Sequence, residues 1–144
     1  PPFLFLLAFL VGLGLEWLAP LSPAWLSAEP LHWLGWVLVA AGLVLGLASA
    51  LRFWRAGTTV IPGAQPTSLV TSGPFAVSRN PMYLAATIIH LGAVTLFGTL
   101  WPLILLIVPV ALVNAFIIPA EERRLLATFG MAYADYYRRV RRWL

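Results

Sequence analysis

Cysteine and lysine are both absent from this 144-residue chain, and charge of either sign is scarce. Without cysteine there is neither a disulfide framework nor a thiolate metal centre. Two histidines, His32 and His90, are too few and too far apart to suggest a metal cluster, so no metal is expected. Only 10% of residues are charged against 61% hydrophobic, and the mean hydropathy is +0.90. A soluble domain of this size could not hide so much apolar side chain, so the composition is that of a membrane protein. The nine basic residues are all arginine, none precedes Arg52, and seven lie at or after Arg79. That asymmetry orients a chain in a membrane, and no nucleic-acid partner is expected. No basic n-region or cleavage site is visible, so no signal peptide is expected, and the Pro1-Pro2 start implies a trimmed natural N-terminus.

Four apolar runs, roughly residues 3–19, 31–54, 82–98 and 101–118, predict an all-α fold with about four transmembrane helices. The expected organisation is one membrane domain over 1–144, with a helical hairpin at 1–55 and the functional region at 56–144. The linker from Pro20 to Pro30 is short and lacks a basic residue. The linker from Gly57 to Asn80 is long and rich in Gly, Pro, Ser and Thr. The third connection is a tight turn near Gly98-Thr99, with Pro102 in the first turn of the next helix. Arginines place the long loop and the C-terminus on the cytoplasmic side. Most tryptophans (17, 25, 33, 36, 54 and 101) fall near helix ends, as an interfacial belt requires. Beyond Pro119, Leu125, Phe129, Tyr136, Val140 and Trp143 recur at helical spacing among arginines. This predicts an amphipathic interfacial helix, or two separated near Gly130, contacting membrane lipid. Gly12-Leu13-Gly14 lacks the strand and acidic residue of a dinucleotide fold and reads as helix packing.

Two polar motifs flank the third and fourth helices. The first is Gly73-Pro74-Phe75-Ala76-Val77-Ser78-Arg79-Asn80-Pro81-Met82-Tyr83. The second runs from Glu121-Glu122 through Phe129-Gly130, Tyr133 and Tyr136 to Val140 and Arg142. Two antiparallel crossings bring both to one membrane face. Arg79, Tyr83, Thr87 and His90 share a helical stripe if Pro81 does not interrupt it, and Asn114, Ile118, Glu121, Glu122 and Leu125 share another. His90 and Asn114 should then lie at similar depth, roughly 10 Å inward of Tyr83 and Glu121. Either they form an interhelical hydrogen bond worth about 1 kcal/mol, or they line a pocket. Glu121 and Glu122 complement a helix N-terminus after Pro119, or face a site; Arg79 is an interfacial cation, or a ligand-binding one.

Arg79-Asn80-Pro81-Met82-Tyr83, the Glu121-Glu122 pair and the Phe-Gly-x-x-Tyr-x-x-Tyr-x-x-x-Val-x-Arg run resemble the isoprenylcysteine carboxyl methyltransferase family, over roughly residues 52–143. That family is related to the phospholipid N-methyltransferases, and both are integral membrane enzymes using S-adenosylmethionine. The resemblance implies that cofactor, a lipophilic acceptor bearing a carboxylate or amine, and a site on the cytoplasmic face. Its candidate binding residues are Arg79, Asn80, Tyr83, His90, Asn114, Glu121 and Glu122. Arg79, Tyr83 and Arg142 are the candidates at the reacting groups, with Arg142 or Arg139 as the cation for an acceptor carboxylate. Arg79 offers a fork for the cofactor carboxylate, either glutamate can meet its ammonium or ribose, and Phe75, Tyr83 and the C-terminal tyrosines offer surfaces for adenine or sulfonium. The family usually carries His where this chain has Asn80, which can still donate and accept but cannot act as an imidazole. Larger members use extra helices to shape the lipid entrance.

Two other readings compete. Sterol reductases have a distantly similar membrane fold and an Arg-x-Pro-x-Tyr-like segment, which implies NADPH; the Glu121-Glu122 pair and the small size favour the methyltransferase. A four-helix transporter would need Glu16 as its intramembrane coupling carboxylate. Arginine without lysine, with abundant Ala and Leu, points to a GC-rich prokaryote and hence its inner membrane.

Overall fold

The computed structural model describes residues 2–58 and 66–144, which are helical apart from loops and one isolated parallel bridge between Ser78 and Arg141. Pro1 and residues 59–65 of the expected long loop lie outside the described residues. Helix α1 is Pro2–Leu18, α2 is Glu29–Arg55 and α3 is Pro81–Phe97. Then α4 (Trp101–Leu105), α5 (Ile107–Leu112), a π-helical turn (Val113–Ile117) and α6 (Ile118–Phe129) form one 29-residue rod, followed by α7 (Met131–Arg139).

Proline and glycine set these boundaries. Pro30, Pro81 and Pro102 sit in first turns, where a missing N–H costs nothing. Gly98 ends α3 at φ +66°, a left-handed cap that favours glycine, and Gly130 (φ +53°) turns α6 into α7, as expected. Inside the rod, Pro109 and Pro119 remove two N–H donors from the α-helical ladder. The chain answers with a break at Leu106 and with the π turn, where the Ile118 N–H reaches back to the Val113 carbonyl.

The helices pack antiparallel, α2 along α3 and α1 chiefly against α4. The first pair approaches through bare glycine: a Cβ on Gly92 would stand 2.7 Å from the Gly35 carbonyl, and one on Gly42 2.9 Å from that of Ala85. A Cβ on Gly12 would stand as close, 2.6 Å from the Pro102 nitrogen, so Gly12 is a packing position, whereas Gly14 faces open space. Gly92→Leu should therefore force α2 and α3 apart, at a cost of about 1–3 kcal/mol. Thermal unfolding in detergent should show a lowered midpoint; an unchanged one would contradict this packing.

Apolar side chains also cover the outside. Leu34, Val37, Val44, Leu47 and Leu51 are exposed along one side of α2, Phe3, Leu6, Leu7 and Leu10 on α1, and Ile104, Ile107 and Val108 on the rod. A patch this extensive marks contact with an apolar medium. By length and composition α2 and the rod are able to cross a membrane, whereas α1 and α3 are apolar but only 17 residues each. Exposed Trp33 and Trp54 stand about 30 Å apart along α2, the thickness of a bilayer's hydrocarbon.

The two ends of the bundle differ. At one, the Glu16 carboxylate accepts from Ser22 Oγ (2.6 Å), Thr99 Oγ1 (2.6 Å) and the Leu21 amide (2.8 Å), tying α1 to both turns there. Trp101 Nε1 donates to the Ala19 carbonyl at 2.7 Å beside it. The coupling carboxylate of a transporter is thus bound as a clasp between turns. The arginines lie at the other end, on the last turn of α2, before α3 and after Ile118.

Candidate active site

At the arginine-rich end the two polar motifs meet. A 3-10 turn at Gly73–Ala76 sets Phe75 edge-on against Phe53 of α2, ring centroids 4.9 Å apart. Tyr136 of α7 donates its hydroxyl to the Phe75 carbonyl at 2.7 Å. Burial lifts the Tyr133 and Tyr136 hydroxyls above the usual phenol range, so both stay neutral donors at physiological pH. After α7 the chain turns back over the loop: the Arg79 amide donates to the Arg141 carbonyl at 2.9 Å, and Asn80 Nδ2 to the Arg142 carbonyl at 2.9 Å. Buried Ser78 completes the junction, donating to the Arg142 carbonyl (3.3 Å) and accepting from the Asn80 amide (3.1 Å).

This strap positions the charged groups. The Arg79 side chain is only 8% exposed, with its guanidinium carbon 3.7 Å from the centroid of the Tyr137 ring. Its Nη1 lies 3.0 Å from Glu122 Oε1, an ion-pair distance, but Nε and Nη1 make no hydrogen bond among the described residues. Arg142 Nη2 holds the other Glu122 oxygen at 2.8 Å, and its Nη1 donates to Asn114 Oδ1 at 3.3 Å, as does Trp143 Nε1. Tyr83 donates to Glu121 Oε1 at 2.9 Å. Among the described residues Glu121 makes no ion pair and accepts from Tyr83 instead, while Nε and Nη1 of the buried Arg79 make no hydrogen bond.

Six of the seven candidate binding residues, with Arg142, therefore gather in one place. The two glutamates diverge, Glu122 toward the arginines and Glu121 toward Tyr83. Arg79 is not on α3, because Asn80 and Pro81 start that helix and leave Arg79 in the loop. The expected stripe thus begins at Tyr83; within it Thr87 bonds the Tyr83 carbonyl of its own helix. His90 stays apart. Its Nε2 lies 2.8 Å from the Pro102 carbonyl and its ring is edge-on to Phe9, while Asn114 is bonded by Arg142 and Trp143, so His90 and Asn114 neither bond each other nor share a wall. The reason is packing: α3 meets the rod at α4 and does not lie along α5, while Phe5 of α1 joins the core between them. Ser78 and Tyr137 are the residues that sequence reasoning missed. A serine beside Arg-Asn-Pro and a third tyrosine in Tyr-x-x-Tyr-Tyr were the available signals.

Tyr136→Phe removes the bond that ties α7 to the loop. It should lower stability by about 1–3 kcal/mol, since the Phe75 carbonyl is left unpaired. Thermal unfolding in detergent should show a lower midpoint; an unchanged one would mean that the loop is held otherwise.

The phospholipid methyltransferase family model matches residues 30–132, most of the chain. The chain belongs to the phospholipid methyltransferase family. Two curated relatives are similar over 75% of the chain. They are the cobalt-zinc-cadmium resistance protein CzcN of Cupriavidus metallidurans, 32% identical over 109 residues, and the nickel-cobalt-cadmium resistance protein NccN of Alcaligenes xylosoxydans xylosoxydans, 33% identical over 111. The chain spans 49% and 50% of their lengths, about half of each. No solved structure matches it.

Proposed function

We propose that this phospholipid methyltransferase family member transfers a methyl group from S-adenosylmethionine to a lipophilic carboxylate or amine, at the membrane face that carries Arg79. The observation that carries the reading is Arg79 itself, a guanidinium buried at the meeting of both motifs, paired with Glu122 yet with Nε and Nη1 making no hydrogen bond among the described residues. A buried donor without an acceptor is costly, and a ligand carboxylate would relieve that cost. Glu121, whose hydrogen-bond partner among the described residues is the Tyr83 hydroxyl, complements an ammonium, so the cluster suits the zwitterionic amino-acid end of the cofactor.

When bound, S-adenosylmethionine supplies a methyl carbon already activated by positive sulfur. The protein's part is to hold and orient. Glu122, fixed between two arginines, braces Arg79 against the Tyr137 ring. Asn80, Asn114 and Trp143 lock the strap that covers the cluster, and buried Phe75, Tyr133 and Tyr136 limit water there. Arg142, with 29% of its side chain exposed, is the cation able to meet an acceptor carboxylate, which needs no base. An amine acceptor must arrive deprotonated or give its proton to a carboxylate of the cluster.

Four crossings fit this arrangement, with α1 and α3 spanning alongside α2 and the rod, all 144 residues forming one domain, and α6–α7 resting on the interface. On this reading the clustered end faces the cytoplasm, at the inner membrane of a prokaryote, as the excess of arginine there favours. Calorimetric titration of the detergent-solubilised protein with S-adenosylmethionine, S-adenosylhomocysteine and NADPH tests the reading. Saturable micromolar binding of the first two and none of the third is expected. Binding of NADPH alone would transfer the assignment to a reductase, and no binding of any by folded protein would refute the proposed site.

A further inference from the structure

Beside the Gly73–Ala76 turn lies a second polar recess, lined by none of the Arg79 cluster. Arg52, Arg55 and Ala56 of α2 face residues 68–72 across a cleft of about 360 Å³. Its polar residues are Arg52, Arg55, Ser68, Thr71 and Ser72, and none of the described residues that line it is acidic. Gly73 makes room for one of the cations. Its φ is +64°, and a Cβ there would stand 2.7 Å from Arg52 Nε and 3.2 Å from Cζ, so the guanidinium rests on bare backbone.

The depth of the recess narrows its ligand. Helix α2 has 27 residues and is about 40 Å long, more than the ~30 Å of hydrocarbon it would cross. Exposed Trp54 marks the level at which it leaves the apolar layer. Arg52 and Arg55, in the last turn, therefore stand among lipid headgroups. Arginine offers forked donors that match phosphate oxygens, and two in one recess without a carboxylate favour a doubly charged oxyanion.

We propose that this recess binds the phosphate of an anionic bilayer lipid, a phosphomonoester above all, at a place separate from the methyl-transfer cluster. The proposal does not depend on the methyltransferase reading.

The test uses wild-type protein in detergent. Phenylglyoxal modification of each arginine is followed by peptide mass spectrometry with dioleoyl phosphatidic acid, dioleoyl phosphatidylcholine or inorganic phosphate at equal concentration. Phosphatidic acid should protect Arg52 and Arg55 while exposed Arg123 and Arg138 react as before, and the other two ligands should protect less. In parallel, R52Q/R55Q should bind phosphatidic acid about tenfold or more weakly by native mass spectrometry, the scale expected of two arginines near a lipid surface. Absent protection, uniform protection of every arginine, equal protection by phosphatidylcholine or inorganic phosphate, or unaltered affinity in R52Q/R55Q would each overturn the assignment. The wild-type protection needs no variant to fold.

Discussion

Arg79→Ala should lose S-adenosylmethionine affinity while keeping its fold. A hydrogen bond to a charged group contributes about 1.5–3 kcal/mol, so binding should weaken roughly 10- to 150-fold. Stability should change far less. Glu122 keeps its second partner, Arg142, and the lost Arg79–Glu122 ion pair is offset in part because Nε and Nη1 of the buried guanidinium make no hydrogen bond among the described residues. The loss of stacking on Tyr137 costs about 0.5–2 kcal/mol in the other direction. Arg79→Lys keeps the charge but neither the plane nor the fork, and should recover only part of the affinity. Calorimetric titration beside a thermal scan separates the two effects. Unchanged affinity in Arg79→Ala would remove Arg79 from the site.

Glu122→Ala should behave differently, damaging stability as well as binding. One carboxylate serves two arginines, at 3.0 and 2.8 Å, and is 13% exposed. Breaking a buried pair from one side costs about 3–5 kcal/mol, less here because Arg142 is partly in solvent. Without Glu122 the strap loses its charged anchor and is left with the bonds of Arg142 and Trp143 to Asn114 and its junction with the loop at Ser78, Arg79 and Asn80. The thermal midpoint should fall well below that of Arg79→Ala. Glu122→Gln, which retains an acceptor, should lie between that variant and wild type. A midpoint equal to wild type in Glu122→Ala would contradict the shared ion pair.

Much of this was legible in the chain. The apolar runs, with proline at helix starts and glycine at Gly98 and Gly130, placed the helices within a few residues, because those residue types act locally. The meeting of the two motifs followed from counting antiparallel helices. Two features were not legible. Depth along single helices put His90 beside Asn114, but rise per residue says nothing of how α3 leans on α1 and α4, which decides the partner of His90. The pairing of Arg142 with Glu122 depends on the strap folding back through Arg141 onto Arg79, a contact between residues more than sixty positions apart. The π turn at Asn114 was invisible for a related reason: prolines at 109 and 119 announce a disturbance of the helix but not its form.

The most direct measurement is transfer of radiolabel from [methyl-3H]-S-adenosylmethionine into the organic extract of membranes carrying the wild-type protein, Arg79→Ala, or the Glu121/Glu122 double alanine. Label should enter the lipid fraction with wild type and fall to background with both variants at equal expression. Equal labelling in all three, or none with folded wild type that binds the cofactor in membranes rich in lipid carboxylates and amines, would contradict methyl transfer at this cluster.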